Sequence, residues 1–216
     1  MKTIYCLFIF VLISILSEAQ YYRRDGGFRL GVNAQYTYPL GDFSDVAKNG
    51  FGGNISGKYL INDVIGIGFE TGYHAFKQSD KMDVQSANQT HETKYRLIPV
   101  LVEGTFYIPT WDRTLLPYLG VHFGAYITNI NIKQSDIYSP ENNAKENLWR
   151  FSPGVGAHIG LLIELSEYVY LDIKIRGDYV PKIKEDYDRD ELGNKGYIGF
   201  NKMLNIGGNI GLLYKF

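Results

Sequence analysis

The sequence predicts an all-β fold: an eight-stranded antiparallel up-and-down transmembrane β-barrel. Three observations predict it. Segments of period-two hydrophobicity recur eight times along the chain. The connections between them alternate between long, polar ones and short ones. Aromatic residues gather at both ends of the apolar faces, as a structure anchored at two membrane interfaces requires.

The bulk properties agree. The 216 residues suffice for one domain, and a net charge of −1 offers no basic footprint for nucleic acid. With 24 glycines, 18 tyrosines and 12 phenylalanines the composition favours sheet over helix. Mean hydropathy is slightly negative, too polar for a helical membrane protein but suited to a barrel, whose strands turn only alternate residues to lipid.

The first segment is a processing signal. Lys2 supplies the positive region, Ile4–Leu16 the apolar core, and Ser17 and Ala19 the small residues of a cleavage site, so the mature chain is expected to begin at Gln20. The apolar run is shorter than the roughly 20 residues a helical span needs. Cys6, the single cysteine, lies inside the signal and ahead of most of its apolar core. No disulfide, thiol nucleophile or lipid-attachment site is therefore expected in the mature chain. The expected division is a signal peptide at 1–19, a short periplasmic tail at 20–27 and a barrel domain at 28–216.

The strands follow in order. In the first, Phe28, Leu30, Val32, Ala34, Tyr36 and Tyr38 share one face, and Arg29, Gly31, Asn33, Gln35 and Thr37 the other. Further strands are expected at about 51–61, 64–76, 94–108, 117–130, 149–165 and 168–180. The last, from Leu204 to Phe216, alternates in the same way. Asn62–Asp63 and Ser166–Glu167 are tight turns, and Pro109–Leu116 is a moderate one. The four remaining connections, about 39–50, 77–93, 131–148 and 181–199, are long and polar. In an antiparallel meander all the long loops then fall at one end, the layout of an outer-membrane barrel with short periplasmic turns and long extracellular loops. In the seventh strand Asp172, Lys174, Arg176 and Asp178 would point inward, and Leu171, Ile173 and Ile175 toward lipid.

Three stretches carry a family resemblance. The C-terminal "LLYKF", with Tyr214 and Phe216 on the lipid face, resembles the signal by which the outer-membrane assembly machinery recognises its substrates. "YPLGDFSDVAKNGFGGNISG" and "YRLIPVLVEGTFY", with Pro99 early in the fourth strand, resemble the small outer-membrane β-barrel family (porin-like or PorT-like, of the OmpA/OmpX/OmpW eight-stranded type). The resemblance spans essentially the whole mature chain and implies a fold, a membrane and export to the cell envelope of a Gram-negative bacterium. It implies no catalytic residues. Unlike OmpA itself, the chain is expected to be a barrel alone, with no peptidoglycan-binding domain.

The inward register gathers Arg29, Lys58, Lys174, Arg176 and Lys215 with Glu70, Glu103, Glu164, Asp172 and Asp178, a balanced set that reads as a salt-bridged lumen. Inward glycines, among them Gly68, Gly120 and Gly156, leave room for long side chains or for a narrow water path. His122 and His158 face inward on neighbouring strands; with Glu103 they offer a divalent-metal alternative to plain polar filling. Asp186, Asp188 and Asp190 resemble the start of a calcium loop, but Glu191 stands where the turn glycine belongs, so a solvated acidic loop is expected and no cofactor. Aromatic belts are expected at Tyr36, Tyr38, Tyr73, Trp149, Phe151 and Tyr179 on the long-loop side. On the short-turn side they are expected at Phe28, Tyr59, Phe106, Trp111, Tyr214 and Phe216.

The leading functional expectation is a non-enzymatic outer-membrane barrel, structural or binding partners and adhering through its loops. Its expected contacts are outer-membrane lipid and lipopolysaccharide, the barrel assembly machinery and an extracellular partner. A narrow pore or a route for small apolar molecules is the transport alternative. A hydrolase or acyltransferase would have to draw on Ser79, Asp80, Asp83 and His91, whose spacing fixes no geometry. A secreted lipocalin-type barrel would have the opposite sense, apolar inside and polar outside.

Overall fold

The computed structural model describes residues 27–79, 89–111, 114–136, 144–181, 185–188, 195–198 and 202–216. The signal segment, with Ala19 and Gln20, lies outside these, as do Asp80, Asp83 and Asp190. The barrel strands are β1 (Phe28–Leu40), β2 (Ala47–Leu60), β3 (Ile65–Gln78), β4 (Gln89–Tyr107), β5 (Leu115–Asp136), β6 (Ala144–Glu164), β7 (Val169–Pro181) and β10 (Lys202–Lys215). They close in the order β1-β10-β7-β6-β5-β4-β3-β2, and every neighbouring pair is antiparallel. A small separate ribbon, β8 (Glu185–Asp188) with β9 (Lys195–Ile198), stands in the last long connection. Asp186 and Asp188 therefore sit on the extended backbone of a paired strand.

Alternation sets the sense of the wall. Val32 is 66% exposed and Phe123 61%, whereas Arg29 is 2% and Asp172 0% exposed. Apolar side chains cover the outside and charged ones are buried inside, the reverse of a soluble ligand-binding barrel, so the lipocalin-type alternative fails. Period two makes this all-or-none, because a one-residue slip would turn every charge of β7 outward. Closure leaves no unpaired edge within the barrel, which is what lets a sheet stand in hydrocarbon.

The seam between β1 and β10 runs from Arg29↔Lys215 to Leu40↔Leu204. The strands approach closely there. A Cβ on Gly211 would lie 2.2 Å from both Asn33 Oδ1 and the Val32 carbonyl oxygen.

Several connections are shorter than the sequence suggests. The β4–β5 ladder continues to Gln89↔Asp136 and the β5–β6 ladder to Gln134↔Ala144. By contrast, β3–β4 pairing stops at Phe76↔Tyr95 and β6–β7 pairing at Val155↔Tyr179. A three-stranded sheet of β4, β5 and β6 thus stands clear of the barrel at the long-loop end. Its polar residues lack the apolar alternation that marks a strand, yet backbone pairing persists without it. The first long connection is also short and holds a one-turn helix, α1 (Asp42–Val46), after Gly41 at φ 60°. It turns Phe43 into the barrel mouth, where the ring is buried.

Candidate functional site in the barrel lumen

The lumen is layered. At the long-loop end Phe43, Phe76, Tyr95, Tyr126, Val180 and Met203 belong to one apolar cluster. The Phe43 ring meets Phe76 edge-on at 5.2 Å and Tyr95 at 6.1 Å. At the short-turn end Leu60, Tyr107, Leu116, Tyr118, Tyr170 and Leu213 belong to a second cluster. Between the two lie the charges.

The sheet register explains how those charges meet. Lys58, Gly68 and Glu103 lie in one row across β2, β3 and β4, and His122, Gly156 and Asp178 in one row across β5, β6 and β7. The middle glycine lets each side chain cross the intervening strand. A Cβ on Gly156 would sit 2.2 Å from His122 Nε2, and one on Gly68 would sit 3.1 Å from Glu103 Oε1. Lys58 Nζ thus reaches Glu103 Oε1 at 3.0 Å. Lys174 Nζ reaches Glu70 Oε2 at 2.5 Å, and Arg176 Nη1 engages the other oxygen of Glu70. Arg176 also grips Asp178 with two nitrogens, Nη2 to Oδ1 at 2.6 Å and Nε to Oδ2 at 3.1 Å. The Tyr126 hydroxyl donates to Asp178 Oδ1 at 2.6 Å.

Not every inward charge finds an ion partner. Arg29 stacks over the rings of Tyr170 and Tyr107, 4.9 and 5.7 Å from their centroids, with Nε and Nη1 unpartnered. Asp172 takes a hydrogen bond from the Tyr118 hydroxyl at 2.5 Å, and its Oδ2 has no partner. Glu164 and Lys215 sit half-buried at the short-turn rim, outside the central cluster.

The histidines lie side by side, their rings stacked at 5.6 Å and 14°. The carboxylate beside them is Asp178; Glu103, the expected third ligand, is held by Lys58. His122 Nε2 lies 2.8 Å from Asp178 Oδ1, and the two Nδ1 atoms are 3.3 Å apart. His122 Nε2 also lies 3.2 Å from Arg176 Nη2, so one edge of that ring meets Asp178 and Arg176 while the other faces His158, whose Nε2 has no partner. A metal held between the Nδ1 atoms would lack a third ligand, because Asp178 lies on the other edge of the ring. Among the described residues no group of three metal-binding side chains forms.

A neutral ladder that the sequence reading did not single out completes the interior. Asn54 and Asn209 both donate to Gln35 Oε1, at 2.7 and 2.9 Å, and His74 Nε2 lies 2.7 Å from Asn54 Oδ1. Between this ladder and the ion cluster lies a cavity of about 10 Å³, lined by residues including Gln35, His74, Tyr126, Arg176 and Asn205. That is room for one water at most. Ser79 is buried, and the side chain of His91 lies outside the described residues.

The model of the outer membrane protein beta-barrel domain matches residues 8–215. The chain belongs to this outer-membrane β-barrel family. No curated protein matches the chain. Among solved structures, this family member superposes on neisserial surface protein A with a TM-score of 0.57 at 17% identity, covering 89% of this chain and 100% of that one. It superposes on OprG of Pseudomonas aeruginosa with 0.58 at 13% identity, covering 90% and 97%. A major outer membrane protein of Thermus thermophilus gives 0.54 at 14% identity, covering 88% and 99%. At such identities the likeness is one of fold.

Proposed function

We propose that the protein is an exported, non-enzymatic barrel of the Gram-negative outer membrane that does not conduct, and that it acts through the surface it presents outside the cell, as a structural or adhesive element. The observation that carries this reading is the layered lumen. Ions cross a low-dielectric barrier only through a hydrated path or a ladder of compensating groups. Here two apolar layers lie above and below the charges, and each of the main carboxylates is already engaged by a cation or a hydroxyl. The same engagement argues against catalysis: among the described residues no serine or threonine hydroxyl is hydrogen-bonded to the His122–Asp178 pair, and the Tyr126 hydroxyl there already donates to Asp178. The sheet of β4, β5 and β6 beyond the barrel lip is the surface best placed to meet an extracellular partner. At the other end Tyr214 and Phe216 lie outward, 47% and 66% exposed, with ring centroids 4.9 Å apart. The barrel assembly machinery can read both from outside the wall.

Planar-bilayer recording of the refolded protein tests the reading. Stable insertion without discrete current steps is expected. Reproducible steps that change with Glu103→Gln or Arg176→Gln would make the lumen a pore and overturn it.

A further inference from the structure

We propose that Arg29 and Asp172 form one ion pair through enclosed water, and that this pair latches β1 to β7 across the seam strand β10. The inference concerns how the barrel closes and stands apart from the reading of its outer surface. Lys58, Lys174 and Arg176 meet Glu103, Glu70 and Asp178 directly. Arg29 and Asp172 remain, a cation on β1 and an anion on β7, and neither makes an ion pair among the described residues. The register brings them to neighbouring rows. Ser56, Gly31, Leu213 and Tyr170 lie in one row across β2, β1, β10 and β7. Asn54, Asn33, Gly211 and Asp172 lie in the next row of the same inner face, about 7 Å further along the strands. Arg29 starts one row lower, opposite Lys215, but its guanidinium reaches the Tyr170 ring, 4.9 Å from the centroid. It therefore stands one row from Asp172.

The space between them is lined by polar atoms without a hydrogen-bond partner. These are Arg29 Nε and Nη1, Asn33 Nδ2 and Oδ1, Ser56 Oγ, the Tyr107 hydroxyl and Asp172 Oδ2, on side chains at most 2% exposed. Two glycines aim them at one place. Asn33 leans over Gly211 toward Asp172, its Oδ1 2.2 Å from where a Gly211 Cβ would stand, and Ser56 leans over Gly31 in the same way at 2.8 Å. The Tyr107 ring lies against the guanidinium, at 5.7 Å. Buried polar atoms are costly to leave unpaired, so this gathering marks a site. Its chemistry selects the occupant. Arg29 offers only donors and Asp172 only acceptors; an anion would face the carboxylate, and a cation the guanidinium. A small neutral molecule that both donates and accepts satisfies the two ends, and water is that molecule. At about three hydrogen bonds for each buried water, roughly two or three molecules serve the set. Because β10 lies between β1 and β7, the bridge forms only once the seam has closed, and it then resists reopening.

A crystal structure of the refolded protein, grown with bromide and at a resolution that shows waters, tests the site. Waters are expected between Asp172 Oδ2, Asn33 and Arg29, each within about 3.2 Å of at least two of the unpartnered atoms. A direct contact between Arg29 and Asp172, a space without density, or an anomalous bromide peak at Arg29 overturns the water bridge. Unfolding rates in urea from phospholipid vesicles test the latch through Arg29→Leu, Asp172→Leu and the double variant. Removing one member strands the other, so each single variant is expected to unfold on the order of tenfold faster than wild type. The double variant is expected to unfold about tenfold faster as well, not the roughly 100-fold faster that two independent residues would give. Rates that multiply, or single variants that unfold like wild type, overturn the latch. If a leucine variant does not insert, Arg29→Gln and Asp172→Asn complete the same cycle, because the amides keep hydrogen-bonding atoms in place while removing the charge.

Discussion

Replacing Glu70 with glutamine removes one negative charge from a cluster buried away from bulk water. Its two oxygens serve Lys174 and Arg176, and all three side chains are at most 3% exposed. Arg176 keeps Asp178 after the change, but Lys174 loses the only carboxylate bonded to it among the described residues. Breaking a buried pair from one side costs about 3–5 kcal/mol, because the remaining charge stays desolvated. Replacing both members with apolar residues is usually neutral or better. Glu70→Leu combined with Lys174→Met leaves Arg176 and Asp178 as a neutral pair, and should recover stability to within about 1 kcal/mol of wild type. Urea unfolding from phospholipid vesicles, followed through Trp111 and Trp149, reads this directly, since both rings sit outside the barrel, 94% and 58% exposed. If Glu70→Gln costs less than about 1 kcal/mol, as an exposed pair would, solvent screens the cluster and the dry-lumen reasoning fails. A double variant as unstable as the single one would refute it equally.

Two further outcomes are expected. Added zinc should leave the urea midpoint unchanged in wild type and in His122→Ala alike; a stabilisation lost in the variant would restore the metal reading of the histidine pair. Gly120→Ala places a Cβ 2.4 Å from His158 Nε2 and 2.7 Å from the Gly104 carbonyl oxygen, and overpacking of this kind costs about 1–3 kcal/mol. Gly104→Ala meets nothing within 4 Å and should be neutral to about 1 kcal/mol stabilising. The same unfolding assay separates the two glycines.

The wall was legible in the sequence because a bilayer punishes any break in alternation. Leu171, Ile173 and Ile175 could face only lipid, and that sent Asp172, Lys174 and Arg176 inward. The apolar layers were harder to see, although Tyr118, His122 and Tyr126 share one parity on β5. That parity is the interior one of His122, but only the strand stagger shows that the tyrosines lie in layers on either side of the charges. Partner choice was less legible still. Glu103 is the direct cross-strand neighbour of His122, yet it turns to Lys58 over Gly68, while Asp178 reaches His122 over Gly156. Which carboxylate serves which base depends on where a glycine clears the path, a three-strand property that no single strand reveals. Strand ends beyond the membrane were misjudged for a related reason: backbone pairing continues there without the apolar period that betrays it within.

The seam between β1 and β10 has a kinetic consequence. It joins the two ends of the described chain, so the closure entropy it must overcome, on the order of 4–5 kcal/mol for a loop of nearly 200 residues, exceeds that of any hairpin in the barrel. The seven ladders between barrel strands consecutive along the chain can zip in sequence, each strand held by its neighbour, while this eighth ladder waits for the final residues to arrive. Until then the molecule is an open, curled ribbon with two bare edges and its charges within reach of water. Closing the seam therefore does two things at once: it ends strand pairing, and it dries the interior. An arrested folding intermediate would be expected to exchange the amide hydrogens of Arg29–Leu40 and Leu204–Lys215 long after those of β5 and β6 are protected.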